Sequence, residues 1–94
     1  MAPLLAGSYN NLGVHAAMAS DFPHAEASFQ LAAQWDPALQ GVYANWGRAA
    51  FAAHDFTQAI APLERAIAAH PEDTELKAML DECRRRAADG AAKQ

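Results

Sequence analysis

Four histidines and one cysteine are the residues of this chain best suited to acid–base, nucleophilic or metal chemistry. Acid–base and nucleophilic catalysis need a base within hydrogen-bond reach of the reacting group. A zinc site needs converging ligands, normally four. His15, His24, His54 and His70 offer neither arrangement. His24 and His54 fall beside Asp21 and Asp55, in segments that read as turns, and His70 precedes Pro71. His15 and Cys83 belong to opposite ends of the chain. Cys83 follows Leu76, Met79 and Leu80 at helical spacing, which reads as a small buried hydrophobe rather than a nucleophile. The glycines are single and periodic, so there is no phosphate-cradling loop. The expectation is a protein without enzymatic activity, catalytic residues, bound metal or cofactor.

Charge and composition narrow the remaining classes. The 94 residues form one domain at most; they are 52% hydrophobic and 19% charged, so a packed core is expected. The net charge of −4 argues against nucleic-acid binding, because neutralising phosphates needs clustered Lys and Arg. Only Arg84, Arg85 and Arg86 cluster. They sit near a helix C-terminus, where cations complement the helix dipole, and read as a solvated face. A single cysteine allows no intrachain disulfide. The opening Met1–Gly7 has no basic segment followed by a long apolar run, so no signal peptide is expected. No stretch approaches the ~20 apolar residues of a membrane span. A cytoplasmic location is expected, and the alanine bias points to a GC-rich bacterial genome.

The elements that position these residues are set by a repeat. Tyr9, Leu12, Gly13, Ala16, Ala25, Phe29, Ala32 and Pro37 recur, each at the same offset, as Tyr43, Trp46, Gly47, Ala50, Ala59, Leu63, Ala66 and Pro71. Asp21-Phe22 recurs as Asp55-Phe56 at that offset too. A fixed period of this size signals stacked helical or propeller units, which build binding surfaces. Apolar spacings of three, four and seven residues select helices. Five are expected, over about 7–19, 22–35, 40–53, 56–69 and 73–88. Asp21 and Asp55 are suited to N-caps, the latter with Gln58 at capping-box spacing. Pro23 suits a first turn. Pro37 and Pro71 stop the second and fourth helices, and Asp73 with Glu75 favours the start of the fifth. In the fifth helix, Lys77 and Asp81 replace the aromatic and the glycine of the earlier units. That fits an end cap burying Leu76, Met79, Leu80 and Cys83 and showing charge outward.

Tyr9-x-x-Leu12-Gly13-x-x-Ala16, Ala25-x-x-x-Phe29 and Pro37, with their second copy, resemble the tetratricopeptide repeat. Ala16 and Ala50 stand where that family has an aromatic, and Leu63 where an aromatic is commoner; each keeps its site apolar. The resemblance covers roughly residues 6–89. It implies an all-α, right-handed superhelical stack of helix-turn-helix repeats, an α-solenoid of five helices. The first repeat would span about 6–39, the second about 40–73 and the capping helix about 74–89, with a frayed tail at 90–94. It further implies close helix crossings at Gly13 and Gly47, facing small residues such as Ala25 and Ala59.

In that family the first helix of each repeat lines a concave groove. The resemblance therefore places Asn10, Asn11, Val14, Met18, Asn45, Arg48, Phe51, Ala52, Met79 and Glu82 on the binding face. An Asn amide both donates and accepts, which suits a peptide backbone; Arg48 offers a fork for a carboxylate. Val14, Met18 and Phe51 supply apolar contacts. The clamp of two Lys, two Asn and an Arg by which chaperone-tail-binding members hold a C-terminal carboxylate is not reproduced. Asn45 matches, but Asn10, Val14, Glu75 and Met79 occupy the other positions. The expected function is a non-enzymatic protein–protein interaction module taking an extended peptide or a partner's helix. Two alternatives come from its small size. It is a self-assembling homo-oligomer, pairing through Tyr9 and the Leu4-Leu5 pair at an uncovered N-terminal helix, or it is part of a longer repeat scaffold.

Overall fold

Helix-forming spacing over most of the chain folds as helices throughout. A computed structural model describes residues 2–39 and 41–92 and the side chains of 5–39 and 41–90. Its described elements are α1 (Ala2–Met18), α2 (Phe22–Trp35), α3 (Val42–Ala52), α4 (Phe56–Ala69) and α5 (Thr74–Ala92). The class is all-α, with each helix packed on the next in sequence. Contacts also join α1 to α3 and α3 to α5, whereas α2 and α4 do not touch among the described residues. The odd-numbered helices therefore form one layer and the even-numbered helices the other, in a body measuring 45 × 28 × 20 Å.

Two expected boundaries move. The first helix begins at Ala2 rather than about residue 7, and the last continues through Gly90 to Ala92 instead of fraying from residue 90. Ala-rich ends with no interior proline favour continued helix. Lys93 and Gln94 lie outside the described residues. Pro62 sits inside α4, where its missing N–H deprives the Gln58 carbonyl of its helical donor. Its ring is fully buried, and Gln58 is exposed to water.

The caps also differ from expectation. Neither Asp21 nor Asp55 caps through its side chain. Asp21 instead meets the His24 ring, Nδ1 to Oδ2 at 2.6 Å. What closes these turns is backbone. Asp21 N–H donates to Ala16 C=O and Ser20 N–H to Ala17 C=O. One repeat later, Asp55 N–H donates to Ala50 C=O and His54 N–H to Phe51 C=O. Such paired bonds close a helix C-terminus around one left-handed residue. Ser20 and His54 hold that conformation, at φ 61° and 62°. The aspartate that does cap is Asp73, whose Oδ1 accepts the Leu76 N–H at 3.1 Å.

The helix crossings are tight, but not between small residues. A Cβ on Gly13 would lie 2.5 Å from Phe29 Cε1, and one on Gly47 would lie 2.6 Å from Leu63 Cδ2 and 2.7 Å from its Cγ. Each glycine is a socket for the largest fully buried side chain of the partner helix. Phe29 and Leu63 are both fully buried, as are Ala25 and Ala59 one turn earlier. Leu63 also joins Ala50 and Ala59 to Leu76, Leu80 and Cys83, so the core continues into α5. The expected buried face of α5 is formed, with Met79 only half-buried.

Gly47→Ala is expected to destabilise the protein although alanine is the better helix former. The propensity gain is about 1 kcal/mol; overpacking costs about 1–3 kcal/mol. A net loss of about 1 kcal/mol lowers the thermal midpoint by about 5 °C, and Gly47→Leu lowers it further. A midpoint that rises for Gly47→Ala in calorimetry contradicts the socket. Ser20→Gly should act in the opposite sense, adding about 0.5–1 kcal/mol by relieving a left-handed residue. Ala53→Gly, in right-handed geometry at φ −78°, should not stabilise; urea titration of the two variants compares them.

Candidate functional site

The odd-numbered helices α1, α3 and α5 carry the residues expected to bind a ligand. All of them except Asn10 and Asn11 line one of two neighbouring cavities. The first, of about 370 Å³, opens between α1, the start of α2 and α3, and is lined by Val14, Ala17, Met18, Phe22, Phe29, Asn45, Arg48, Ala49 and Ala52. The second, of about 500 Å³, opens between α3, the start of α4 and α5, and is lined by Phe51, His54, Phe56, Glu75, Ala78, Met79, Glu82 and Arg86.

These cavities are in register. Ala17, Phe22, Asn45, Arg48 and Ala52 of the first become Phe51, Phe56, Met79, Glu82 and Arg86 of the second, each displaced by one repeat. The repeat thus places two recesses one repeat apart and gives them different chemistry. The first has apolar walls and an Asn–Arg edge. The second has an aromatic floor, where Phe51 meets Phe56 edge-on at 5.6 Å and His54 stacks on Phe56 at 5.6 Å. Its rim is charged, and the Arg86 guanidinium lies 5.4 Å from the centre of the Phe56 ring.

The polar groups already have partners within the protein. Asn45 Nδ2 donates to Asn10 Oδ1 at 3.2 Å in a part-buried position, joining α3 to α1. Asn10 thus stands behind Asn45 rather than facing a ligand alone, and the Asn45 carbonyl keeps its acceptor capacity. Asn11 is exposed and lines neither cavity. Arg48 Nη2 donates to Glu75 Oε1 at 3.1 Å, so one ion pair bridges the edges of the two cavities. Both side chains are substantially exposed, and a pair of this kind contributes about 0–1 kcal/mol. A ligand carboxylate can therefore take Arg48 from Glu75 at little loss. Glu82 is held by Arg86 and Arg85 on its own helix, which lowers its pKa. Met18 is 78% exposed, a large apolar side chain offered at the mouth of the first cavity.

Phe22, Phe56, His54, Glu75 and Arg86 were not among the expected binding residues. The signal for the two phenylalanines was present, since Asp-Phe recurs at the repeat interval. The aspartate of that pair suits a cap, while the phenylalanine at each helix start is what lines a cavity.

Two further groups shift. Burial, then the neighbouring Asp55 carboxylate, raises the pKa of Glu26. Burial, then the Glu82 charge, raises that of the Cys83 thiol, which is free and buried. Among the described residues no group of three or more His, Cys, Asp or Glu could hold a metal ion. No helix among them is long and apolar enough to cross a membrane. No family model matches the chain, and no curated protein or solved structure matches it either.

Glu26 yields a pH prediction with a definite sign. Its folded pKa lies above the unfolded value, so the charged form is disfavoured by folding. The penalty is present above the folded pKa and disappears as the pH falls below the unfolded one. Glu26→Gln should therefore be more stable than the parent at neutral pH, with the difference closing on acidification below the ordinary glutamate range. Thermal midpoints of both proteins across that range test this; an advantage that persists undiminished in acid contradicts it.

Proposed function

We propose that the chain is a tetratricopeptide-type interaction module that binds an extended peptide or a partner's helix along the inner faces of α1, α3 and α5. The observation that carries this reading is the pair of cavities related by the register of the repeat. Two recesses one repeat apart suit a ligand that runs along the stack and presents side chains at intervals, as peptides laid in helical grooves do. The first recess takes an apolar anchor against Val14, Met18 and Phe22. The Asn45 carbonyl receives a backbone N–H, and Arg48 takes an acidic group after release from Glu75. The second recess takes an aromatic or cationic group over Phe51, Phe56 and Met79, with Glu75 and Glu82 at its edge. Catalysis has no place in this reading, because the titratable groups at the groove are engaged in ion pairs or ring stacking and none faces a nucleophile.

Selection from a displayed library of random peptides should enrich sequences sharing an apolar anchor. Met18→Asp should weaken those peptides about tenfold, as should Asn45→Ala with Arg48→Glu, corresponding to about 1.4 kcal/mol or more. Circular dichroism confirms that the variants are folded, which matters because Asn45→Ala also breaks the bond to Asn10. Arg85→Ala should leave affinity unchanged. Selected peptides that bind Met18→Asp and the double variant as tightly as the parent place the site elsewhere.

A further inference from the structure

The opposite side of α1, facing away from α3, carries a different surface. Leu12 is 56% exposed and Leu5 40%, and on α2 Trp35 is 46% and Leu31 38% exposed. The repeat places Leu31 and Trp35 on one face with Tyr9. Tyr43, Arg65 and Ala69 line a single cavity on the second hairpin, and one repeat earlier in the chain stand Tyr9, Leu31 and Trp35. Tyr43 in turn stacks with Trp46, ring centres 6.1 Å apart, and the counterpart of Trp46 is Leu12. In the second hairpin this face is partly covered. Trp46 packs on the cluster containing Ala25 and Phe29, and Tyr43 on that containing Ala32 and Ala33, both supplied by the first hairpin. On the first hairpin the counterpart of Trp46, Leu12, is exposed. Tyr9 is only half-buried, and the side chain of Leu4, also expected on this edge, lies outside the described residues.

Charge decides what can cover it. Leaving histidine aside, Asp21, Glu26 and Asp36 are the only charged side chains before Arg48, and α1 has none. Solvated helix faces are normally rich in Lys and Glu, whereas the centres of interfaces are depleted of charge. The other end of the stack is closed by α5, whose outer face exposes Lys77, Asp81 and Arg85. A second copy cannot therefore extend the stack head to tail without burying those charges. A two-fold pair has no such obstacle. It sets each residue of the patch near its own counterpart, which forbids charge near the axis and accepts a neutral apolar face.

We infer that the α1–α2 edge, centred on Leu12, Leu31 and Trp35, binds the same edge of a second copy of this chain in a two-fold pair. The pair leaves the groove free, because Val14, Met18 and Asn45 lie on the α3 side of α1. Sedimentation equilibrium of the whole chain tests it. The apparent mass should rise with concentration from 10.0 kDa toward twice that value. Leu12→Glu combined with Leu31→Glu should weaken association at least tenfold while helix content and thermal midpoint, read on the monomer, are retained, since both side chains are exposed. Asp81→Lys, on α5, should leave the mass unchanged. Three results overturn the inference. The first is a chain that keeps the monomer mass at every concentration, which would assign the edge to a neighbouring repeat of a longer polypeptide. The second is a dimer indifferent to the two glutamates. The third is a dimer dissociated by Asp81→Lys, which would mark head-to-tail contact.

Discussion

Everything in this fold depends on two large side chains entering two gaps in the facing helices. Phe29 lies against Gly13 and Leu63 against Gly47, at distances that leave no room for a β-carbon. A glycine inside a helix costs about 0.5–1 kcal/mol. Burying a phenylalanine or leucine completely contributes about 1.5–3 kcal/mol, and the alanines beside them, Ala25 and Ala59, are fully buried as well. The contact sets both the separation and the axial register of each hairpin. Because it occurs twice at the same sequence interval, it makes the second hairpin a copy of the first, down to the left-handed residue at each turn.

From that equivalence comes the layout of surfaces. Contacts of α1 with α3 and of α3 with α5, without a matching α2–α4 contact among the described residues, draw the odd helices together on one side. The phenylalanine that opens each even helix reaches this side, so each hairpin contributes one recess. The recesses correspond in position because the backbone repeats, and differ in chemistry because their lining residues do not. Asn45, Arg48 and Ala52 give way to Met79, Glu82 and Arg86.

The two ends of the stack are not equivalent. At the C-terminal end, α5 lays Leu76, Leu80 and Cys83 on the core and turns its charges outward. At the N-terminal end, the face that the first hairpin covers on the second is exposed on the first, at Leu12, Leu31 and Trp35. The scarcity of charge before Arg48 belongs to this end. The polar contacts of the molecule are mostly exposed ion pairs, which contribute little to stability, so its cohesion is apolar and its charges are available for recognition.

Periodicity alone determined a great deal. The repeat interval, the helical spacing of apolar residues, the prolines after α2 and α4 and the charge on α5 specify an all-α chain of five helices, because each is a local consequence of residue type. The close approach at Gly13 and Gly47 was also legible, since a mid-helix glycine recurring in register needs a packing reason. What enters the gap was not. Whether Ala25 or Phe29 faces Gly13 depends on the rotation of one helix about its axis, which only the packed pair settles. The same holds for the candidate site. Val14, Met18, Asn45 and Arg48 were placed together by the family resemblance, but the phenylalanines at the helix starts, the Asn10–Asn45 bond and the Arg48–Glu75 pair join residues distant in sequence. Leu12 shows the limit most clearly. In sequence it is equivalent to Trp46, yet one is exposed and the other largely covered, because burial depends on having a hairpin on the far side and a residue's own neighbourhood in the chain does not contain that information.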